Sequence, residues 1–339
     1  MIFVDNQNNY DASVNIALET YLVENRLVDE PILLFYINAP SIIIGRNQNT
    51  IEEVNQPYVE ANNIKVVRRM SGGGAVYHDY GNLSFCFIKD DDGSFRDFES
   101  FTKPVIDALH KLGATGAHLE GRNDLLIDGL KFSGNAMYSK AGRMTAHGTI
   151  LFDADLDEAT KALKPRKEKI ESHGVKSIRK RMTNIKPYIK NEFKSLKTEE
   201  FRDRLLLEIF GVKSRQEVPE LVLSDKDWEG VYQLRAERMG NWDWNYGKSP
   251  KFNIEKRHKF PFGIVDFRFE VESGHVKHAK IFGDFFGLGD IKDVEDSFTN
   301  VKYDRQSFIN VFNKLDLTYY FGDVKTEDFI ELIFDKEEA

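Results

Sequence analysis

Runs rich in β-branched and aromatic residues crowd the opening part of this chain, and runs of helical period follow them rather than alternate with them. Regular alternation would build a parallel, doubly wound sheet, whereas strands first and helices afterwards predict an α+β fold with a mixed sheet. The expected strands are residues 32–37, 41–44, 64–69 and 83–88. A helix is expected just ahead of them, with Asp11 or Ser13 as its cap and Val14, Ala17, Leu18, Tyr21 and Leu22 on one stripe. Another is expected at 102–112, with Pro104 in its first turn and Gly113 past its end. Asp128-Gly129, between strand runs at 124–127 and 130–138, predicts a tight hairpin because both positions tolerate positive φ. A strand at 147–152 and helices at 156–163, 198–210 and 224–239 complete this body.

Periodicity breaks at residues 241–250, NWDWNYGKSP, where Gly247 and Pro250 interrupt it. Two domains are therefore expected, 1–246 and 251–339. The second restarts with strands at 263–270 and 276–282 around Ser273-Gly274, then helices at 304–315 and 326–334.

Hydrophobic residues at 41% and charged residues at 30% suit an ordinary globular protein with a sizeable core. The net charge of −8 excludes a nucleic-acid surface spread over the whole chain. No basic, then apolar, leader opens the sequence and no long apolar run crosses it, which predicts a cytoplasmic protein without a membrane segment. Cys86, the single cysteine, sits between Phe85 and Phe87 and reads as a small core residue. A local excess of positive charge runs from Lys161 to Lys186, where ten basic residues face only Glu168 and Glu171. It either stays solvated or meets an anion.

Four stretches could carry chemistry. Arg68 to Asp79, RRMSGGGAVYHD, places three glycines directly after a strand, where successive N–H groups can point into one concavity suited to phosphate or carboxylate oxygens. Arg69 would add a permanently charged bidentate donor; a plain glycine turn with a solvated arginine pair is the alternative. The spacing matches neither the P-loop nor the dinucleotide fingerprint. Gly121 to Ala136, GRNDLLIDGLKFSGNA, puts Lys131 on a hairpin arm among apolar neighbours, either functional or snorkelling from a strand edge. His147 heads the run HGTIL, as a packed or capping imidazole or as a site residue. Lys176 and Ser177 lie in GVKSIR, within the basic stretch.

In this order the four stretches resemble the lipoate-protein ligase A family, which is similar in catalytic fold to the biotin protein ligases; GRNQN, Gly45 to Asn49, fits too. The resemblance covers the first domain from end to end, and the rest of the chain is similar to the accessory domain of full-length members. It implies an ATP-dependent ligase that turns lipoate, or octanoate, into lipoyl-AMP with release of pyrophosphate. A lysine amine of a lipoyl domain, on 2-oxoacid dehydrogenase E2 subunits or the glycine cleavage H protein, then takes the acyl group. Lys131 is the implied catalytic residue, contacting both carboxylate and adenylate phosphate. Arg69, Gly74, Ala75, Val76, Tyr77, Lys131, Lys176 and Ser177 are implied for ATP and the adenylate. Arg69, Ser71, Gly72, Gly73, His78, Lys131 and His147 are implied for lipoate, and Asp124 for Mg²⁺. The basic stretch becomes a flap over the nucleotide, and the protein is expected to act as a monomer, with no nucleic-acid or membrane partner. Two alternatives remain open: an ATP-independent acyl transferase, for which Cys86 is the only thiol, and a non-enzymatic lipoyl-binding module.

Overall fold

The computed structural model describes residues 1–164, 181–246, 254–272 and 274–334. The chain divides into two compact units: Met1–Ile44, Thr50–Arg69 and Ala75–Asn245 form the first, and Gly45–Asn49, Met70–Gly74 and Tyr246–Ala339 the second.

The strands of the first unit are β1 (Ile2–Asp5), β2 (Ile32–Ile37), β3 (Ser41–Ile44), β4 (Lys65–Arg68), β5 (Val76–His78), β6 (Asn82–Asp90), β7 (His118–Glu120), β8 (Asp124–Ile127), β9 (Leu130–Lys140) and β10 (Arg143–Leu151). Seven of them form one sheet in the order β1-β2-β6-β10-β9-β8-β7, with β1 parallel to β2 and every other pair antiparallel; β4-β3-β5 form a small second sheet. Mixed sheets and segregated helices make the fold α+β, as the order of runs predicted.

The two faces of the large sheet differ in chemistry because side chains alternate along each strand. Leu33, Phe35, Phe85, Phe87, Ala146 and Met137 point into an apolar core closed by the helices Phe98–Lys111 and Thr198–Phe210, which supply Phe101, Val105, Leu109, Phe201 and Leu205. The other face carries Tyr36, Cys86, Thr145, His147 and Tyr138, aligned across β2, β6, β10 and β9 by the register. Among the residues hydrogen-bonded to this face is Glu19 of the helix Ala12–Glu24, which is buried along nearly its whole length. Asp11 caps that helix by accepting from the Ser13 amide. Its far side meets the helix Asp225–Glu237, where a Cβ at Gly230 would lie 2.5 Å from the Tyr21 ring.

The hairpin forms at Asp128-Gly129, with φ of 50° and 73°. Pro104 departs from expectation. Asp97 caps the helix several residues upstream and Phe98 and Phe101 bury on its inner face, so Pro104 lies in the helix interior instead of its first turn.

In the second unit β11 (Ile254–Phe260), β12 (Gly263–Glu272) and β13 (His275–Gly283) form an antiparallel sheet. Val265, Phe267, Phe269 and Ile281 pack against Phe298, Phe308, Phe312 and Phe329 from the helical segment. Each such side chain contributes roughly 1.5–3 kcal/mol by leaving water. Strand β11 was not expected, because IEKRHKF is mostly charged; such residues suit an exposed sheet edge. On the opposite edge Glu295 accepts from the Ile281 amide at 3.0 Å and from Lys280 Nζ at 2.6 Å, covering β13 with the helix Ile291–Ser297. Ser273 of the expected turn lies outside the described residues.

Candidate active site

Lys131 owes its direction to a β-bulge. Strand β8 pairs Leu125 with Ser133 but Leu126 with Lys131, so Phe132 is an extra residue in β9. Under strict alternation Lys131 would share the side of Met137 and enter the apolar core. The bulge gives that place to Phe132, which is fully buried there, and turns Lys131 to the face of Asp124 and Gly134. Lys131 Nζ lies 2.8 Å from Asp124 Oδ1, and both side chains remain about one-third exposed, at 36% and 38%. A Cβ at Gly134 would stand 3.1 Å from Lys131 Nζ, so the glycine leaves room for the ammonium. The lysine's own backbone is held by Arg181 O at 2.7 Å and the Thr183 amide at 2.9 Å. Residues 165–180, which include most of the implied flap with Lys176 and Ser177, lie outside the described residues.

Arg69, His78 and His147 come together on the polar side of the same unit. Arg69 follows β4 and is buried, with Nη1 donating to Ile43 O at 3.1 Å. Burial pushes its guanidinium down to about 10, a drop that the charges of Tyr36 and Glu19 oppose. His147 sits in mid-strand, not at a strand head as expected, because Met144 and Ala146 carry the apolar alternation of β10 back to Arg143. Its Nδ1 lies 2.5 Å from Glu19 Oε1, while Glu19 Oε2 accepts from Tyr36 OH at 3.2 Å. His78 ends β5 opposite Ser41. Burial, then the nearby charges of Arg69 and His147, push its imidazole down to about 3, so it is neutral at ordinary pH.

Arg68 has a different task. It donates to Trp244 O, Asn245 O and Thr50 Oγ1 and so holds the short helix Trp242–Asn245 in place. Cys86 is fully buried beside Thr145 Oγ1 at 3.0 Å, and burial together with the Glu19 charge raises its thiol well above the usual range. A neutral, inaccessible thiol is a poor nucleophile.

The triple-glycine stretch spans the grouping of the two units: Ala75, Val76 and Tyr77 lead into β5 of the first, whereas Ser71, Gly72, Gly73 and Gly74 group with the second. Within that second unit Ser71 O accepts from the Arg46 amide at 2.9 Å. Gly73 has φ of 91°, and a Cβ on Gly45 would lie only 2.0 Å from Gly73 O. A Cβ on Gly72 would strike Phe285 O at 2.2 Å, whereas one on Gly74 would meet nothing within 4 Å. The glycines therefore serve close backbone approach at 45 and 72 and a left-handed turn at 73. Among the described residues no group of three acids, histidines or cysteines could hold a metal by itself, and no helix is long and apolar enough to cross a membrane.

Glu19, buried on a helix, and Asn38, beside His78, were missed by sequence reasoning. For Glu19 the available signal was that it is the sole charged residue between Ala12 and Val23.

Residues 11–210 match the family described as lipoyl protein ligase A/B catalytic domain, and residues 249–333 match the bacterial lipoate protein ligase C-terminus. A relative from Bacillus subtilis strain 168, the lipoate-protein ligase LplJ, is 50% identical over 335 residues, covering 98% of this chain and all of the relative. The crystal structure of P. falciparum LipL1 in complex with lipoate superposes with a TM-score of 0.77 at 26% identity, covering 97% of each chain. A lipoate-protein ligase A bound with ATP gives a TM-score of 0.56 at 25% identity over 73% of this chain and 97% of that one. The chain belongs to the lipoate-protein ligase family and is an enzyme of that family.

Proposed function

We propose that the enzyme activates lipoate with ATP and passes the acyl group to a lysine of a lipoyl domain, on E2 subunits of 2-oxoacid dehydrogenases or on the glycine cleavage H protein. A lipoate carboxylate oxygen attacks the α-phosphorus, the bond to pyrophosphate breaks, and lipoyl-AMP forms. The acceptor amine then attacks the acyl carbon and AMP leaves with the bonding pair. Octanoate fits the same chemistry, since only the carboxylate reacts.

The observation that carries this function is the bulge-directed ammonium of Lys131, about one-third exposed beside Asp124 and flanked by Gly134. A fixed cation there can stabilise the charge that develops on carboxylate and phosphate oxygens, an effect of roughly 100- to 1000-fold for one preorganised donor. In this mechanism Arg69 and the amides from Ser71 to Tyr77 hold the acyl and nucleotide oxygens, His78 and His147 border the acyl group, and Lys176 and Ser177 contribute to nucleotide binding. Asp124 suits Mg²⁺ as the single carboxylate that an ion already held by phosphates needs; the ion would neutralise phosphate charge, and Lys131 would shift from Asp124 to the substrate. Residues 1–246 would perform the chemistry and 251–339 serve as the accessory domain. ATP is a solute of the cytoplasm, and the protein is taken to work there as a monomer.

Incubation with ATP, Mg²⁺ and a panel of fatty and dithiolane acids, followed by mass spectrometry, tests the function. Acyl-AMP should accumulate with lipoate and vanish in Lys131→Ala while circular dichroism stays the same. Undiminished acyl-AMP in that variant would refute the role of Lys131, and none in the wild type would refute the activation step.

A further inference from the structure

Three buried asparagines form a directed chain that ends on His78. Asn6 Nδ2 donates to Asn9 O at 2.8 Å and to Asn15 Oδ1 at 2.9 Å. Asn15 Nδ2 donates to the same Asn9 O at 2.8 Å and to Asn38 Oδ1 at 2.9 Å. Asn38 Nδ2 then faces His78 Nδ1 at 2.9 Å.

A backbone carbonyl can only accept, so Asn9 O orients the amides of Asn6 and Asn15 without ambiguity. With Asn38 Oδ1 taken by Asn15, only the Asn38 NH₂ group can point at the imidazole. His78 Nδ1 must therefore accept, which puts the ring proton on Nε2. That Nε2 is buried and has no hydrogen-bond partner among the described residues. A buried donor without a partner is costly, and a ligand acceptor would satisfy it. The guanidinium of Arg69 is close enough to influence the ring, so an oxygen carrying negative charge suits the place.

We propose that Asn15 and Asn38 are positioning residues that lock His78 as an Nε2–H donor, and that this N–H binds an oxygen of the substrate carboxylate or of the acyl-adenylate. The donor role rests on the ligase function above; the tautomer does not.

Full-length ¹⁵N-labelled protein and long-range histidine ¹H–¹⁵N correlation read the tautomer directly, with the His78 signals assigned by their loss in His78→Gln. Without substrate, the wild type should show His78 protonated on Nε2 alone. Asn38→Asp, the same size but acceptor-only, should move a proton to Nδ1. Lipoate should shift the wild-type Nε2–H resonance. His78→Leu should raise KM for lipoate about tenfold, the worth of one hydrogen bond, whereas His78→Gln, whose amide keeps a donor near the Nε2 position, should recover part of that loss. Nδ1 protonation in the wild type, a resonance that lipoate leaves unmoved, or a KM unchanged in His78→Leu would each overturn the proposal. Absence of acyl-AMP in the wild type would instead sink the ligase function and leave the tautomer assignment standing.

Discussion

Lys131 and Asp124 face each other at 2.8 Å only because one extra residue, Phe132, interrupts the alternation of β9. Both side chains are partly solvated, so the pair contributes about 0–1 kcal/mol to stability. Lys131→Ala should therefore leave the melting temperature nearly unchanged while adenylate formation falls roughly 100-fold or more. A large loss of thermal stability would mean the lysine is structural.

Gly134 provides a finer probe of the same lysine. An added methyl would stand 3.1 Å from Lys131 Nζ, and the flexible end of that side chain can yield. Gly134→Ala should fold normally yet displace the ammonium, lowering kcat by roughly tenfold or more, since an error of about 1 Å can cost 100-fold. Steady-state kinetics beside a thermal melt would separate the two effects; unaltered kcat would show that the ammonium position is uncritical.

The Glu19–His147 contact, by contrast, lies inside the protein. Removing the carboxylate leaves His147 Nδ1 and Tyr36 OH without this acceptor, a cost of about 1–3 kcal/mol before any cavity is counted. Urea denaturation of Glu19→Ala should reveal a deficit clearly larger than that of Lys131→Ala. Equal stability of the two variants would contradict the buried role.

Acid sensitivity should trace to His78. Its folded-state value is lowered from 6.5 to about 3, so the unfolded chain takes up the proton first. Stability from this group is complete above 6.5 and declines as pH falls toward 3, at up to about 1.4 kcal/mol per pH unit. His78→Gln should flatten that acid limb in pH-dependent denaturation; an identical limb would place the titrating group elsewhere.

Cys86→Ala should keep acyl-AMP formation and transfer to the acceptor, because the thiol is buried against Thr145. Abolished transfer in an otherwise folded variant would reinstate a thioester route.

Short-range chemistry determined much of this protein from sequence alone. The Asp128-Gly129 turn, the helix Thr198–Phe210 and the alternation of β2 and β6 depend on local φ preference and on periods of two or 3.6 residues, which neighbours in the chain set. The resemblance carried by the glycine block and the lysine hairpin was equally legible, since both are contiguous. The tertiary structure alone decided which face Lys131 occupies, because register across β8 and β9 places the bulge. It also joined Glu19 to His147 across 128 positions and threaded Asn6, Asn15 and Asn38 onto His78. Such pairings arise when packing removes polar groups from water and obliges them to satisfy one another, and no local pattern records which partner each will find.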